Sequence, residues 1–222
     1  MSGQVITIGR QCGSGGHTIG EQVAKILGVP FYDRELIEMT AQESGFGKEF
    51  VEEQGEHRNS SMLYNLVKNL SYSRTMPSGN SEYLQDEIFF AQRKIITALA
   101  EKEPCVIVGR CADSILKETG NSLNIYIHAE KAFKAKHLME RKRVSYDEAV
   151  REMERLDKRR ASHYKYYTDQ IWGLAENYHL CLDSSLIGIE KCVSVICDIY
   201  QSINAGQYRK EEVGSGRDPE LA

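Results

Sequence analysis

The chain has 222 residues, 41% of them hydrophobic and 27% charged, with a net charge of −4. That length allows one well-buried domain with a small appended lid, and the composition is that of an ordinary globular protein. The acidic balance gives no overall pull toward nucleic acid, and no apolar run nears the roughly twenty residues that a bilayer-spanning helix needs.

The first residues set the theme. Gln4-Val5-Ile6-Thr7-Ile8 reads as a buried strand, with no basic-then-apolar secretory leader before it. Gly9-Arg10-Gln11-Cys12-Gly13-Ser14-Gly15-Gly16-His17-Thr18 follows as a glycine-rich turn, and Ile19, Val23 and Ile26/Leu27 then keep helical spacing. Strand, glycine loop, helix is the order of a phosphate-binding loop. Glycines let backbone amides approach an anion, and the helix N-terminus adds partial positive charge. Gly13, Ser14, Gly15, Gly16, His17 and Thr18 are therefore the expected nucleotide-phosphate cradle, with His17 a solvated first-turn residue rather than a metal ligand. The lysine that such loops aim at the phosphates is missing.

Further on, Pro30-Phe31-Tyr32, Cys105–Val108, Asn124–His128 and Tyr178–Leu182 read as short strands, nearly all apolar and hence buried on both faces. Helical segments alternate with them, which predicts a doubly wound α/β sheet. Residues 35–102 are too long for one crossover and read as several helices, the last over about 82–101. Ser145 and Glu148 have capping-box spacing, so a helix should start there and run to about Tyr167. Ile189, Val193, Ile196 and Tyr200 mark one face of a closing helix. From Gly206 the chain is polar without apolar period and reads as a disordered or vector-derived tail. The six cysteines form no CxxC pair, and a reducing, cytoplasmic setting without disulfides or zinc is expected.

Residues Ile8 to Gly16, then Leu27-Gly28-Val29-Pro30-Phe31-Tyr32-Asp33-Arg34-Glu35-Leu36-Ile37, resemble the cytidylate kinase-like family, a branch of the P-loop nucleoside monophosphate kinases. The resemblance returns at Val106-Ile107-Val108-Gly109-Arg110, at Asp157-Lys158-Arg159-Arg160, at His163-Tyr164-Lys165-Tyr166-Tyr167 and at Leu182-Asp183-Ser184-Ser185. It implies a three-layer P-loop NTPase fold with a five-stranded parallel sheet. One domain would cover 1–205, with a helical substrate-binding insertion at about 35–102 and a lid at about 142–172, leaving the tail at 206–222. Against the family's loop, Gly16 takes the lysine's place, Thr18 keeps the hydroxyl that would hold Mg²⁺, and Arg10 replaces the first glycine. Arg10 is thus the candidate substitute cation. The resemblance also implies that Arg110 meets the acceptor, that Asp157 holds a ribose and that Arg160 holds a phosphate. Asp33 falls at the matching strand end. Arg34 stands beside it, where a serine is expected, and is placed to compensate for Met39, which takes the position of a phosphate-binding arginine. Val108 and Cys111 stand where acidic residues are expected, and Met153 where an arginine is.

Residues 131–160 carry eleven Lys/Arg against six Asp/Glu. Most of these charges read as a solvated helix laced with ion pairs, but Arg160 shares a face with Asp157 three residues earlier. Tyr164, Tyr166 and Tyr167, with His163 and Trp172, read as a packing surface between lid and core or as a homodimer contact. The expected function is transfer of the ATP γ-phosphoryl to a nucleoside monophosphate or similar small phosphorylated acceptor, with Arg10 and Arg160 as the catalytic cations. Asp33, Arg34, Arg110, Asp157 and Arg160 would bind the acceptor, with no nucleic-acid or membrane partner. The competing expectation is a non-enzymatic nucleotide or phosphometabolite sensor on the same fold, favoured by the missing lysine, strand-end acid and Met39 arginine.

Overall fold

The computed structural model describes residues 4–54 and 81–205. Five parallel strands form one sheet: β1 Val5–Arg10, β2 Phe31–Tyr32, β3 Val106–Val108, β4 Ser122–His128 and β5 Leu180–Asp183, in the order β2-β3-β1-β4-β5. β1 is central because its residues are apolar on both faces. Ile6 and Ile8 point to one side, registered against Val106 and Val108 of β3 and Leu123 and Ile125 of β4. Val5 points to the other.

Each face is covered by helices whose apolar stripes match it. On the Ile6 side lie α1 (Gly16–Leu27), through Ile19 and Val23, and the closing helix α9 (Ile189–Asn204), through Val193 and Ile196. On the Val5 side lie α2 (Arg34–Ser44), through Leu36, and α4 (Ser81–Lys102), through Ile95, Ile96 and Leu99. These form a three-layer α/β sandwich. α3 (Lys48–Gln54) packs against α2 through Val51 and Ile37, and α5 (Ala112–Ile115) and α8 (Ser184–Ile187) are single turns after β3 and β5.

The remaining pair, α6 (Lys131–Lys142) and α7 (Tyr146–Thr168), forms a hairpin beyond the sheet's C-terminal edge. Its small core of Ala135, Leu138, Ala149 and Met153 includes Cys12 of the glycine loop, so the hairpin is fastened to the loop itself. α7 starts at the expected capping box: the Glu148 amide donates to Ser145 Oγ at 3.4 Å and the Ser145 amide donates to Glu148 Oε2 at 2.9 Å.

The strand ends differ from the sequence reading by one or two residues. β5 starts at Leu180 rather than Tyr178, and Tyr178 instead packs its ring on Tyr126 at 5.0 Å. β1 runs on to Arg10 and β4 begins at Ser122, because ladder hydrogen bonds extend past the apolar run that marks burial. Among the described residues, no helix is long and apolar enough to cross a membrane. All six cysteines are free thiols. The expected tail at 206–222 and the middle of the 35–102 insertion lie outside the described residues.

Candidate phosphate-loop site

The glycine loop leaves β1 at the sheet's C-terminal edge and enters α1 without a side-chain cap. Gly13 and Gly15 have φ of 81° and 79°, which non-glycine residues resist. Gly13 is also closed in from outside: a Cβ there would lie 2.5 Å from the Lys134 carbonyl oxygen of α6. Ser14 is fully buried. Its hydroxyl donates to the Gln11 carbonyl at 2.9 Å, and its own carbonyl accepts from Ser184 Oγ at 2.7 Å. The loop is therefore held from three sides, and the first amides of α1 stay available to an anion.

Gly16 occupies the position where the family resemblance expects lysine. A Cβ there would fall 2.5 Å from Arg10 Cβ and 2.9 Å from Arg10 Cγ. The Arg10 stem lies directly over Gly16, so a lysine at 16 and the present Arg10 exclude one another. The missing lysine and the extra arginine are one steric arrangement.

Above the loop is a cleft of about 520 Å³, into which Arg10, Arg34, Arg141, Arg160, His17 and His137 project. Two carboxylates tie this basic ring together. Asp33, at the start of α2, lies 2.6 Å from His17 Nδ1 and 3.8 Å from the Arg10 guanidinium. Its hydrogen bond, with its charge adding, raises the His17 pKa above the usual histidine value against the opposing effect of burial. Asp157, on α7, accepts the Cys12 amide at 2.7 Å and lies 3.6 Å from Arg160 and 3.8 Å from Lys134. Burial pushes its carboxyl up, opposed by the Cys12 bond and the Arg160 charge. Thr18 is exposed and lines the same cleft.

A second, narrower pocket of about 30 Å³ opens beside it at the ends of β1 and β3. Here Gly109, Arg110 and Cys111 have successive φ values of 75°, 61° and 54°. Two consecutive non-glycine residues in the left-handed region cost roughly 1–2 kcal/mol each, a strain typical of binding sites. The turn buries Arg110 to 5% exposure and brings Asp113 into the pocket at 7%. Tyr164 Oη donates to Asp113 Oδ2 at 2.6 Å. Burial raises the Asp113 pKa despite that bond, and burial also drives the Tyr164 and Tyr178 phenols far above their usual values.

The structure divides the expected acceptor residues. Asp33 and Arg34 face the loop cleft, Arg110 faces the narrow pocket, and Asp157 lines neither, being turned onto the loop amide. Arg10 and Arg160 are the two residues that line both cavities, and Arg160 Nη1 donates to the Arg10 carbonyl at 3.3 Å. Tyr167 stacks on Phe89 of α4 at 3.9 Å and donates to Asp86 at 3.0 Å, which makes it a packing residue between α7 and α4, whereas His163, Tyr164 and Trp172 of the same cluster line the narrow pocket. Sequence reasoning missed Asp113, His137 and Arg141 as site residues. The signals were present: Asp113 lies three residues after Arg110, and Lys134, His137 and Arg141 follow helical spacing. Among the described residues, no group of three or more His, Cys, Asp or Glu is arranged to hold a metal.

Comparison with known proteins bears on the family and the fold. An uncharacterized protein from Eubacterium ventriosum ATCC 27560 is 26% identical with a TM-score of 0.65, over 90% of this chain and 99% of that one. A shikimate kinase from Bacteroides thetaiotaomicron shares the fold at 14% identity and a TM-score of 0.50, over 89% of this chain and 98% of that one. No curated protein sequence matches. The model of the cytidylate kinase-like family matches residues 5–186, which takes in the loop, the α6–α7 hairpin and the lining of both cavities except Ile189; the chain belongs to that family.

Proposed function

We propose that the protein is a nucleotide-dependent phosphotransferase. It binds ATP over the glycine loop and transfers the γ-phosphoryl to a small phosphorylated acceptor, a nucleoside monophosphate or a compound of that class, which places only its tip in the Arg110 pocket of about 30 Å³ and leaves the rest of the molecule at the pocket's mouth. The kinase-like family and fold support the reaction class. The observation that carries the reading is the position of Arg10 and Arg160 at the junction of the two cavities. A phosphoryl group moving between a donor in one and an acceptor in the other passes these two guanidiniums. Phosphoryl transfer needs cations on the three equatorial oxygens in flight and little covalent help from the protein. An acceptor oxygen bonds the γ-phosphorus, the bond to the β,γ-bridging oxygen breaks, and its electron pair leaves with the diphosphate. Arg10 and Arg160 hold the migrating charge throughout.

Thr18 and Asp33 offer oxygen ligands to Mg²⁺ in the loop cleft, which suits an ion that keeps several waters and rides on phosphates rather than one caged by protein. When bound, Mg²⁺ would supply charge neutralisation at the phosphates.

A sensor on the same fold is the second reading, favoured by one specific feature. Asp157 already occupies the Cys12 amide, and Asp33 already engages Arg10 and His17, so a phosphate must compete with two resident carboxylates. Incubation with ATP, Mg²⁺ and a panel of nucleoside monophosphates separates the readings. The enzyme converts an acceptor to its diphosphate, and Arg160→Ala lowers turnover about a thousandfold, in the range known for transition-state arginines. ATP binding with no diphosphate formed from any acceptor establishes the sensor.

A further inference from the structure

One face of α6 runs along the glycine loop. Lys134 Nζ donates to Gln11 Oε1 at 2.9 Å, and His137 Nδ1 lies 3.2 Å from the Gly13 carbonyl. Arg141, one turn further, continues the same stripe into the loop cleft. Three other cations of the hairpin are spent on acids: Lys131 bonds Glu154 at 2.7 Å, Lys142 bonds Glu152 at 3.0 Å, and Arg155 bonds Glu152 at 2.8 Å, while Lys136 and Arg143 lie outside the cleft. Among the described residues, no carboxylate takes up Arg141 in this way.

We propose that Arg141 is a phosphate-binding residue, which closes from α6 the ring of guanidiniums that Arg10 and Arg160 begin. This rests on the nucleotide-binding reading of the cleft and adds a specific ligand contact to it. Three arginines from three separate elements, β1, α6 and α7, would then converge on one polyanion. Such a ring compensates in number for the single lysine that Arg10 excludes from position 16. Arginine suits the place because its fork grips two phosphate oxygens at once, where an ammonium offers a point charge.

A competing role for Arg141 is to complement the C-terminal dipole of α6, in whose last turn it lies. The two roles give different readouts. Affinity for ATP and for inorganic tripolyphosphate is measured by calorimetry at fixed ionic strength on the full chain, alongside the melting temperature of the ligand-free protein. Lys136→Ala, on the same helix but outside the cleft, controls for loss of one positive charge. Arg141→Ala is expected to weaken both ligands tenfold or more, the range of a lost charge-assisted contact, while Lys136→Ala changes affinity less than twofold. Arg141→Glu is expected to weaken them further, and Arg141→Lys to recover part of the loss. Equal affinities for Arg141→Ala and the native protein overturn the inference, as does an affinity loss matched by Lys136→Ala. So does a lowered ligand-free melting temperature with affinity intact, which would mark a helix-dipole role. Failure of the native protein to bind either ligand is a separate result, and removes the nucleotide-binding reading together with this one.

Discussion

The loop cleft and the Arg110 pocket meet at Arg10 and Arg160 but handle charge in opposite ways. The cleft keeps its charges paired and its rim wet at one of them: the His17 side chain is 46% exposed, while Asp33, which it shares with Arg10, is 14% exposed and Arg10 11%. A polyanion can enter there by exchanging one charged partner for another. The narrow pocket has taken its charges out of water, with Arg110 and Asp113 almost wholly buried and Tyr164 bonded to the Asp113 carboxyl. A ligand that leaves one of these groups unmatched costs about 1–3 kcal/mol for each. The first cavity is built to attract charge and the second to inspect hydrogen-bonding pattern, so discrimination among acceptors belongs to the second.

The sharpest way to break this contrast is to change which cation serves the cleft. Gly16→Lys alone drives a side chain into the Arg10 stem, an overpacking worth about 3 kcal/mol at a buried site. The same substitution in an Arg10→Gly background has room for the lysine. Denaturant unfolding of the two singles and the double should show a favourable coupling of about 2 kcal/mol or more between positions 10 and 16. ATP affinity should return in the double variant to within about tenfold of native. Additive effects of the two changes would mean that Arg10 does not fill the lysine's space.

The next effect is smaller and falls on the other cavity. Burial raises the Asp113 pKa above its unfolded value. Its favourable contribution is therefore fully present below about pH 4 and is lost as pH rises through the raised value, so a charge on this carboxyl works against the fold. Asp113→Asn removes that charge and still offers an oxygen to the Tyr164 hydroxyl. Its melting temperature at pH 7 should equal or exceed the native value, while turnover of the best acceptor falls about tenfold or more because the pocket's pattern has changed. A lower melting temperature at pH 7 with unchanged turnover would show that Asp113 supports the fold and not the acceptor.

The two cavities were unequally legible in the sequence. The floor of the loop cleft could be read because its parts are contiguous: glycines, first-turn hydroxyl and flanking strand all lie within residues 5–18, and local chemistry fixes their roles, whereas His137 and Arg141 join the cleft only when α6 packs beside the loop. The central strands could be read for the same reason, since an apolar run is a local signal. The narrow pocket joins Arg110, Asp113, Tyr164 and Tyr178, separated by up to 68 residues and brought together only when α7 packs against the end of β3. Tyr164 read as packing because nothing local distinguishes a tyrosine that stacks from one that holds a buried carboxyl. Asp157 illustrates the limit of transferring a residue by motif. Its position matched a ribose-binding aspartate, but its carboxylate bonds the Cys12 amide, a partner 145 residues away. Arg10 could be nominated from its position, whereas its contact with Gly16 required the path of the side chain.

The smallest effect tests whether the wet rim of the cleft is electrostatic at all. The hydrogen bond to Asp33 raises the His17 pKa above 6.5. The pair's stabilisation is therefore fully present below about pH 6.5 and is lost as pH rises through the raised value. Solvent screens a side chain this exposed, so its contribution should stay under about 1 kcal/mol. Native protein and His17→Gln are to be compared in melting temperature across the pH range. The native advantage should be greatest near pH 6 and fade toward pH 9 as the imidazole loses its proton. His17 also packs edge-on against Phe31, with ring centroids 5.4 Å apart. That contact does not titrate, so a native advantage that is the same at both ends of the range would assign the role of His17 to packing at the start of α1. The rim's charge would then reside in its arginines alone.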